Sequence, residues 1–211
     1  MKRATAALAA AVLCAIALPA AAQENWMVRV RALYLDPANK SDPIPSLGVP
    51  ADAIEVSDKT FPEVDFSYFF SKNLAAELVL TYPQKHDVTV TQSVLGSVNI
   101  GTFKHLPPTL TLQYHFIPDG TIRPYVGAGI NLTILSDVNL EIPTVGKLDL
   151  ENYSVGGALQ AGLDWKLDKN LYLNFDVKQV WIESDVLLGG AKVSKVKVDP
   201  LLWSVGLGWR F

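Results

Sequence analysis

LLWSVGLGWRF, residues 201–211, is the stretch whose reading decides the fold. Leu201, Trp203, Val205, Leu207, Trp209 and Phe211 share one parity, and Leu202, Ser204, Gly206, Gly208 and Arg210 the other. Strict alternation is the mark of a β-strand with two chemically different faces. The bulky face stays apolar to Phe211 and carries a tryptophan near each end. A soluble domain rarely finishes on such a strand. A transmembrane barrel does, because its last strand must pair with its first to remove both sheet edges.

Working outward from this strand, the same alternation recurs in segments of about ten residues, the pattern of a transmembrane barrel. The segments are 26–35, 61–70, 74–82, 109–116, 122–133, 153–166 and 171–182, which with 201–211 make eight. Short turns at Ser71-Lys72-Asn73, Pro118-Asp119-Gly120 and Asp168-Lys169-Asn170 interleave with long connections at 36–60, 83–108, 134–152 and 183–199. The first connection, with Pro37, Pro43, Pro45 and Pro50, reads as irregular, and the third leaves room for a small ribbon of its own. The expected fold is all-β, an eight-stranded antiparallel transmembrane β-barrel. Its short turns and both termini lie at one end, the periplasmic one, and its long loops at the extracellular end. A ten-residue strand rising ~3.3 Å per residue and tilted ~40° spans ~25 Å, the height of the apolar band.

The first 22 residues read as a cleaved signal peptide: Lys2 and Arg3, an apolar run from Ala6 to Leu18, then Ala20-Ala21-Ala22 before Gln23. Residues 23–211 form the barrel. The single cysteine, Cys14, falls in the signal, so the mature chain cannot rest on disulfides. Without Lys2 and Arg3, 16 basic residues stand against 21 acidic ones, a balance that excludes a nucleic-acid partner. After residue 22 nothing reaches about 18 consecutive apolar residues, which excludes a membrane-spanning helix.

Periodicity does not say which face points outward, since a lipocalin also has eight strands. The apolar parity is nearly free of charge in all eight segments, while the other parity mixes charges with Gly127, Gly129, Gly156, Gly162, Gly206 and Gly208. Aromatic residues of the apolar face gather at strand ends. Trp26, Phe70, Phe116, Trp165, Trp209 and Phe211 mark the turn end; Tyr34, Tyr82, Trp181 and Trp203 mark the loop end. Two such girdles are what the two bilayer interfaces select. The partner of the apolar face is therefore the lipid bilayer. The other parity lines the lumen with Arg29, Arg31, Asp65, Glu77, Arg123, Asp164, Lys166, Asp176, Lys178 and Arg210, a set able to pair to near-neutrality. Eight strands leave an interior just wide enough for side chains, which argues against a wide aqueous pore. The inward glycines make room for large neighbours, or else leave a cavity near the loops.

No metal, cofactor or catalytic motif emerges. His86, His105 and His115 lack ligand spacing, and only His115 falls within a strand segment. No G-x-S-x-G is present, and nothing positions Ser93, His86 and Asp87 as a hydrolytic set. The connections do carry apolar residues on the water side, including Leu47, Val49, Ile54 and Leu95. Either they pack loop against loop or they form an apolar funnel for a ligand.

Five stretches give the chain a resemblance to the OmpW family of outer-membrane proteins. They are WMVRVRALYLDP at 26–37, HLPPTLTLQYHF at 105–116, IRPYVGAGIN at 122–131, GGALQAGLDWKLDKNLYLNFDVK at 156–178 and DPLLWSVGLGWRF at 199–211. The first and third long connections match poorly. The resemblance implies a hydrophobic channel entered from outside, from which small apolar molecules leave sideways into the bilayer. It assigns no gating or ligand residue. A terminal Phe211 after alternating apolar residues also resembles the signal read by the outer-membrane insertion machinery. The function expected is passive uptake of small hydrophobic solutes. The rival readings are a non-transporting surface protein and, further off, a lipid-modifying barrel enzyme.

Overall fold

The computed structural model describes residues 25–45, 48–93, 96–142 and 146–211. The expected signal segment, 1–22, and Leu47 and Leu95 of the expected funnel lie outside them. In chain order the strands are β1 (Trp26–Asp36), β2 (Lys40–Ser41), β3 (Ile54–Val56), β4 (Lys59–Phe69), β5 (Leu74–Leu80), β6 (Gln84–Ser93), β7 (Gly96–Leu106) and β8 (Thr109–His115). There follow β9 (Ile122–Ile142), β10 (Gly146–Leu150), β11 (Tyr153–Lys166), β12 (Leu171–Val180), β13 (Glu183–Leu188), β14 (Ala191–Lys197) and β15 (Leu201–Arg210).

Eight of them, β1, β4, β5, β8, β9, β11, β12 and β15, pair antiparallel in that order and close into a barrel through β15 on β1. The closing ladder runs from Asp36↔Leu201 to Met27↔Arg210, and the Trp26 and Phe211 backbones exchange hydrogen bonds of 3.0 and 2.8 Å. Closure removes both edges, as spanning a bilayer demands. The apolar parity faces outward along the wall: Val30, Leu112, Ile130, Leu159, Phe175 and Leu207 are all exposed. Trp26, Phe70, Phe116, Trp165 and Trp209 ring the turn end, and Tyr34, Tyr82, Trp181 and Trp203 the loop end, again exposed. An apolar surface this extensive needs lipid against it.

The long connections are not irregular. They continue the wall as a second tier of strands. β6 and β7 form a hairpin, with β3 on one side and the upper half of β9 on the other. β9 also pairs β10, β10 pairs β13, β13 pairs β14, and β14 pairs β2. β2 and β3 do not pair as strands, but hydrogen bonds within the first connection, Asp52 N–H to the Ser41 carbonyl at 2.9 Å and Val56 N–H to Asn39 Oδ1 at 2.8 Å, join the two ends of the tier into a ring.

Its strands escaped the alternation test because the tier is bulged. In β9, Leu135 is buried, Asp137 takes a left-handed φ of 50°, and Leu140 is buried next. The inward parity thus changes from odd to even, as an extra residue in one strand requires. Gly189 and Gly190, at φ 58° and 84°, form the two-residue turn between Leu188 and Ala191, the geometry preferred by tight hairpins.

Candidate functional site

The interior is layered. At the turn end Met27, Phe69, Ala75 and Tyr172 form a small apolar floor. Above it lies a layer of buried ions. Arg29 pairs Glu77 and Asp164, both at 2.6 Å, and donates to Ser67 Oγ at 2.7 Å. Arg31, two residues on and therefore on the same face, lies 2.8 Å from Glu63 and 2.7 Å from Asp65. Lys178 joins Glu63 at 3.3 Å to Asp176 at 2.8 Å. Gln160 donates to Glu77 and Asp176, and the Tyr125 hydroxyl donates to Asp176 at 2.7 Å. Burying ions costs several kcal/mol each, which only such dense pairing offsets. The layer fills the lumen and blocks the barrel axis.

Above the plug the interior turns apolar. Leu33 and Leu35 continue the inward face of β1, and residues of all four connections pack over them, among them Val49, Ile54, Val88, Leu140 and Val186. Within this cluster is a cavity of about 30 Å³ bounded by Ile54, Val56, Phe103, Leu140, Leu150 and Val186, among others, with Ser184 its one polar neighbour among the described residues. Ligand pockets run to ~300–1,000 Å³, so this chamber is too small as it stands and its walls must part to admit a solute.

Backbone pairing in the wall beside the chamber lapses around residues 80–83, where the β4–β5 ladder also stops, at Val64↔Leu80. The β5–β8 ladder stops at Val79↔Thr109, and pairing resumes only at Gln84↔His105 in the hairpin above. Between lie Leu80 to Pro83 and Leu106 to Pro108, where Pro83, Pro107 and Pro108 have no N–H to give. Just above this break Gln84, His86 and His105 are buried side by side, the two imidazoles 4.7 Å apart between centroids. His86 also stacks on Phe103 of the chamber wall at 5.8 Å. Burial, helped by His86 and Lys59, pushes His105 down to about 3. Burial likewise lowers His86, against the opposing pull of its bond to the Ser57 carbonyl.

The family model described as the OmpW family matches residues 23–211. The chain belongs to the OmpW family. It is similar to the uncharacterized outer-membrane protein y4mB of Sinorhizobium fredii, 40% identical over 91% of this chain and 82% of that one. It is 27% identical to the dibenzothiophene metabolism operon protein PahQ of Pseudomonas aeruginosa, over 77% of each chain. The crystal structure of the outer membrane protein OprG from Pseudomonas aeruginosa superposes with a TM-score of 0.76, at 27% identity, covering 89% of this chain and 95% of that one. This OmpW-family barrel is an outer-membrane protein of a Gram-negative bacterium.

Within it, the ten expected lumen residues divide. Arg29, Arg31, Asp65, Glu77, Asp164, Asp176 and Lys178 come together in the plug. Arg123, Lys166 and Arg210 are only half-buried, near the turns. Arg123 donates to the Gly120 carbonyl and covers the Tyr172 ring, and Arg210 lies over Phe69. The pairing is therefore not between six cations and four carboxylates. Three cations meet five carboxylates, the fifth being Glu63, which shares the parity of Asp65 and was readable from it.

Val49 and Ile54 of the expected funnel are buried in the chamber cluster, and Ile54 lines the cavity. The inward glycines serve large neighbours: a side chain at Gly162 would strike the Tyr125 ring, and one at Gly206 would strike the β1 backbone beside Arg31. None of the six lines the chamber. His86 and His105, expected outside strands, lie on β6 and β7. His86 is buried while Asp87 faces water, because neighbours in a strand point to opposite faces; they make no hydrolytic pair.

Proposed function

We propose that this barrel is a passive outer-membrane channel for small hydrophobic molecules, which enter the chamber from outside and leave it sideways into the bilayer. The observation that carries this reading is the stacking of an apolar chamber on a buried ionic plug. An apolar solute gains contact in the first and has no path through the second, where every side chain already holds a charged or polar partner at close range. The break between Val79↔Thr109 and Gln84↔His105 supplies an exit at the level of the loop-end aromatics. The relative named for dibenzothiophene metabolism supports the same solute class.

The test is the initial uptake rate of dibenzothiophene by intact cells that produce the protein. Ile54→Asn, which puts an unpartnered amide into the chamber, is expected to lower that rate by about fivefold or more. Heat-modifiable migration of the folded barrel serves as the control for assembly. Uptake unchanged by the protein's presence would overturn the reading in favour of a non-transporting surface role.

A further inference from the structure

Gln84, His86 and His105 are buried at 0%, 0% and 4% exposure, beside the wall break and against Phe103 of the chamber. Their hydrogen bonds fix which atoms remain open. His86 Nδ1 lies 2.7 Å from the Ser57 carbonyl, which only accepts, so Nδ1 carries the proton and Nε2 presents a lone pair. Gln84 Nε2 donates to the Tyr82 carbonyl at 2.8 Å, which orients the amide and leaves Oε1 as an acceptor. Among the described residues, His86 Nε2, Gln84 Oε1 and both ring nitrogens of His105 have no hydrogen-bond partner. A neutral His105 adds one N–H and one lone pair. The cluster thus offers three acceptors and one donor against Phe103, through which it adjoins the apolar chamber, and buried polar groups left in that state are costly.

From this donor–acceptor count we infer that Gln84, His86 and His105 form a hydroxyl-recognition site, and that the channel's preferred solute is a small neutral alcohol or phenol. A hydroxyl donates once and accepts twice, so it can serve an imidazole lone pair and take the His105 N–H together. An ether or a ketone only accepts, and a hydrocarbon does neither. A carboxylate would find one donor for a full charge, and an ammonium would bring an uncompensated charge into an apolar wall. Both imidazoles are neutral at neutral pH, given the depressed values of His86 and His105. The inference rests on the uptake reading above and narrows it to a chemical class.

It is tested on the mature chain in lipid nanodiscs, with ¹⁵N-labelled histidine and ¹³C-labelled isoleucine and valine methyls. The probes are 1-hexanol, its isomer dipropyl ether, hexane and hexanoate. Hexanol is expected to shift the imidazole nitrogens of His86 and His105 saturably and to bind roughly tenfold more tightly than dipropyl ether. The wild-type comparison of two isomers needs no variant to fold; His86→Phe is expected to bring hexanol down to the ether's affinity. If hexanol and ether bind alike, or the imidazoles stay still while the Ile54 and Val56 methyls shift, the site serves ordered water only. The inference then falls and the uptake reading stands. If no probe moves Ile54 or Val56, both fall.

Discussion

Arg29 and Arg31 carry the plug because β-strand periodicity sends both inward from one strand, and four other strands, only one of them a neighbour of β1, bring carboxylates to meet them. Arg29 is fully buried and bidentate on Asp164, with Glu77 and Ser67 on its remaining nitrogen. Arg29→Met should therefore cost about 3–5 kcal/mol of unfolding free energy, because two carboxylates lose their cation inside the barrel. Urea unfolding in phospholipid micelles would read this, and a loss below about 1 kcal/mol would contradict the pairing described. At this scale the sequence was most legible, since parity alone selected seven of the plug's charges. It could not say that Arg123, Lys166 and Arg210 stop short of the plug. That depends on depth along the strand, which parity does not encode.

At the scale of elements, the β6–β7 hairpin is the part whose stability should respond to pH. His105 titrates near 3 in the folded hairpin and near the ordinary ~6.5 when exposed. The opened hairpin therefore takes up its proton first as pH falls. Stability is fully present above about 6.5 and is lost from there down toward 3, amounting to roughly 2 kcal/mol by pH 5 for His105 alone. Burial of His86 acts in the same direction, with Lys59, Asp58 and Asp87 as its charged neighbours. Amide exchange at Val88, Ile100 and Phe103 should be faster at pH 5 than at pH 7 after correction for intrinsic rates. Equal protection would contradict the burial of the pair.

The hairpin also illustrates what the sequence concealed. Gln84, His86, Val88 and Val90 alternate with Lys85, Asp87 and Thr89, a readable strand. Its partner is interrupted at Val88/Thr89, as β9 is opposite Thr102/Lys104, so no single parity runs through the tier. Only the Gly189-Gly190 turn announced a hairpin locally.

For the whole molecule, two closures stack: the lipid-facing barrel below and the ring of paired connections above. The first was legible because lipid imposes one rule on every outward residue. The second was not, because its strands pair between connections far apart in sequence, and the chamber exists only once they meet. The first closure depends on the last residue, whose backbone completes the exchange with Trp26. Deleting Phe211 should reduce the amount of heat-modifiable barrel in outer-membrane fractions severalfold. We ascribe that loss to the missing closing bonds.

On the function proposed above, solute leaves through the wall and not along the axis. Residues 23–211 contain no cysteine, so a reversible staple is available: Leu80→Cys with Pro108→Cys, which continue the Val79↔Thr109 register across the break. Dibenzothiophene uptake by intact cells carrying this pair should fall to the level of cells without the protein when the staple is oxidised, and recover on reduction. Uptake that is the same oxidised and reduced, with the disulfide shown to be formed, would contradict lateral release.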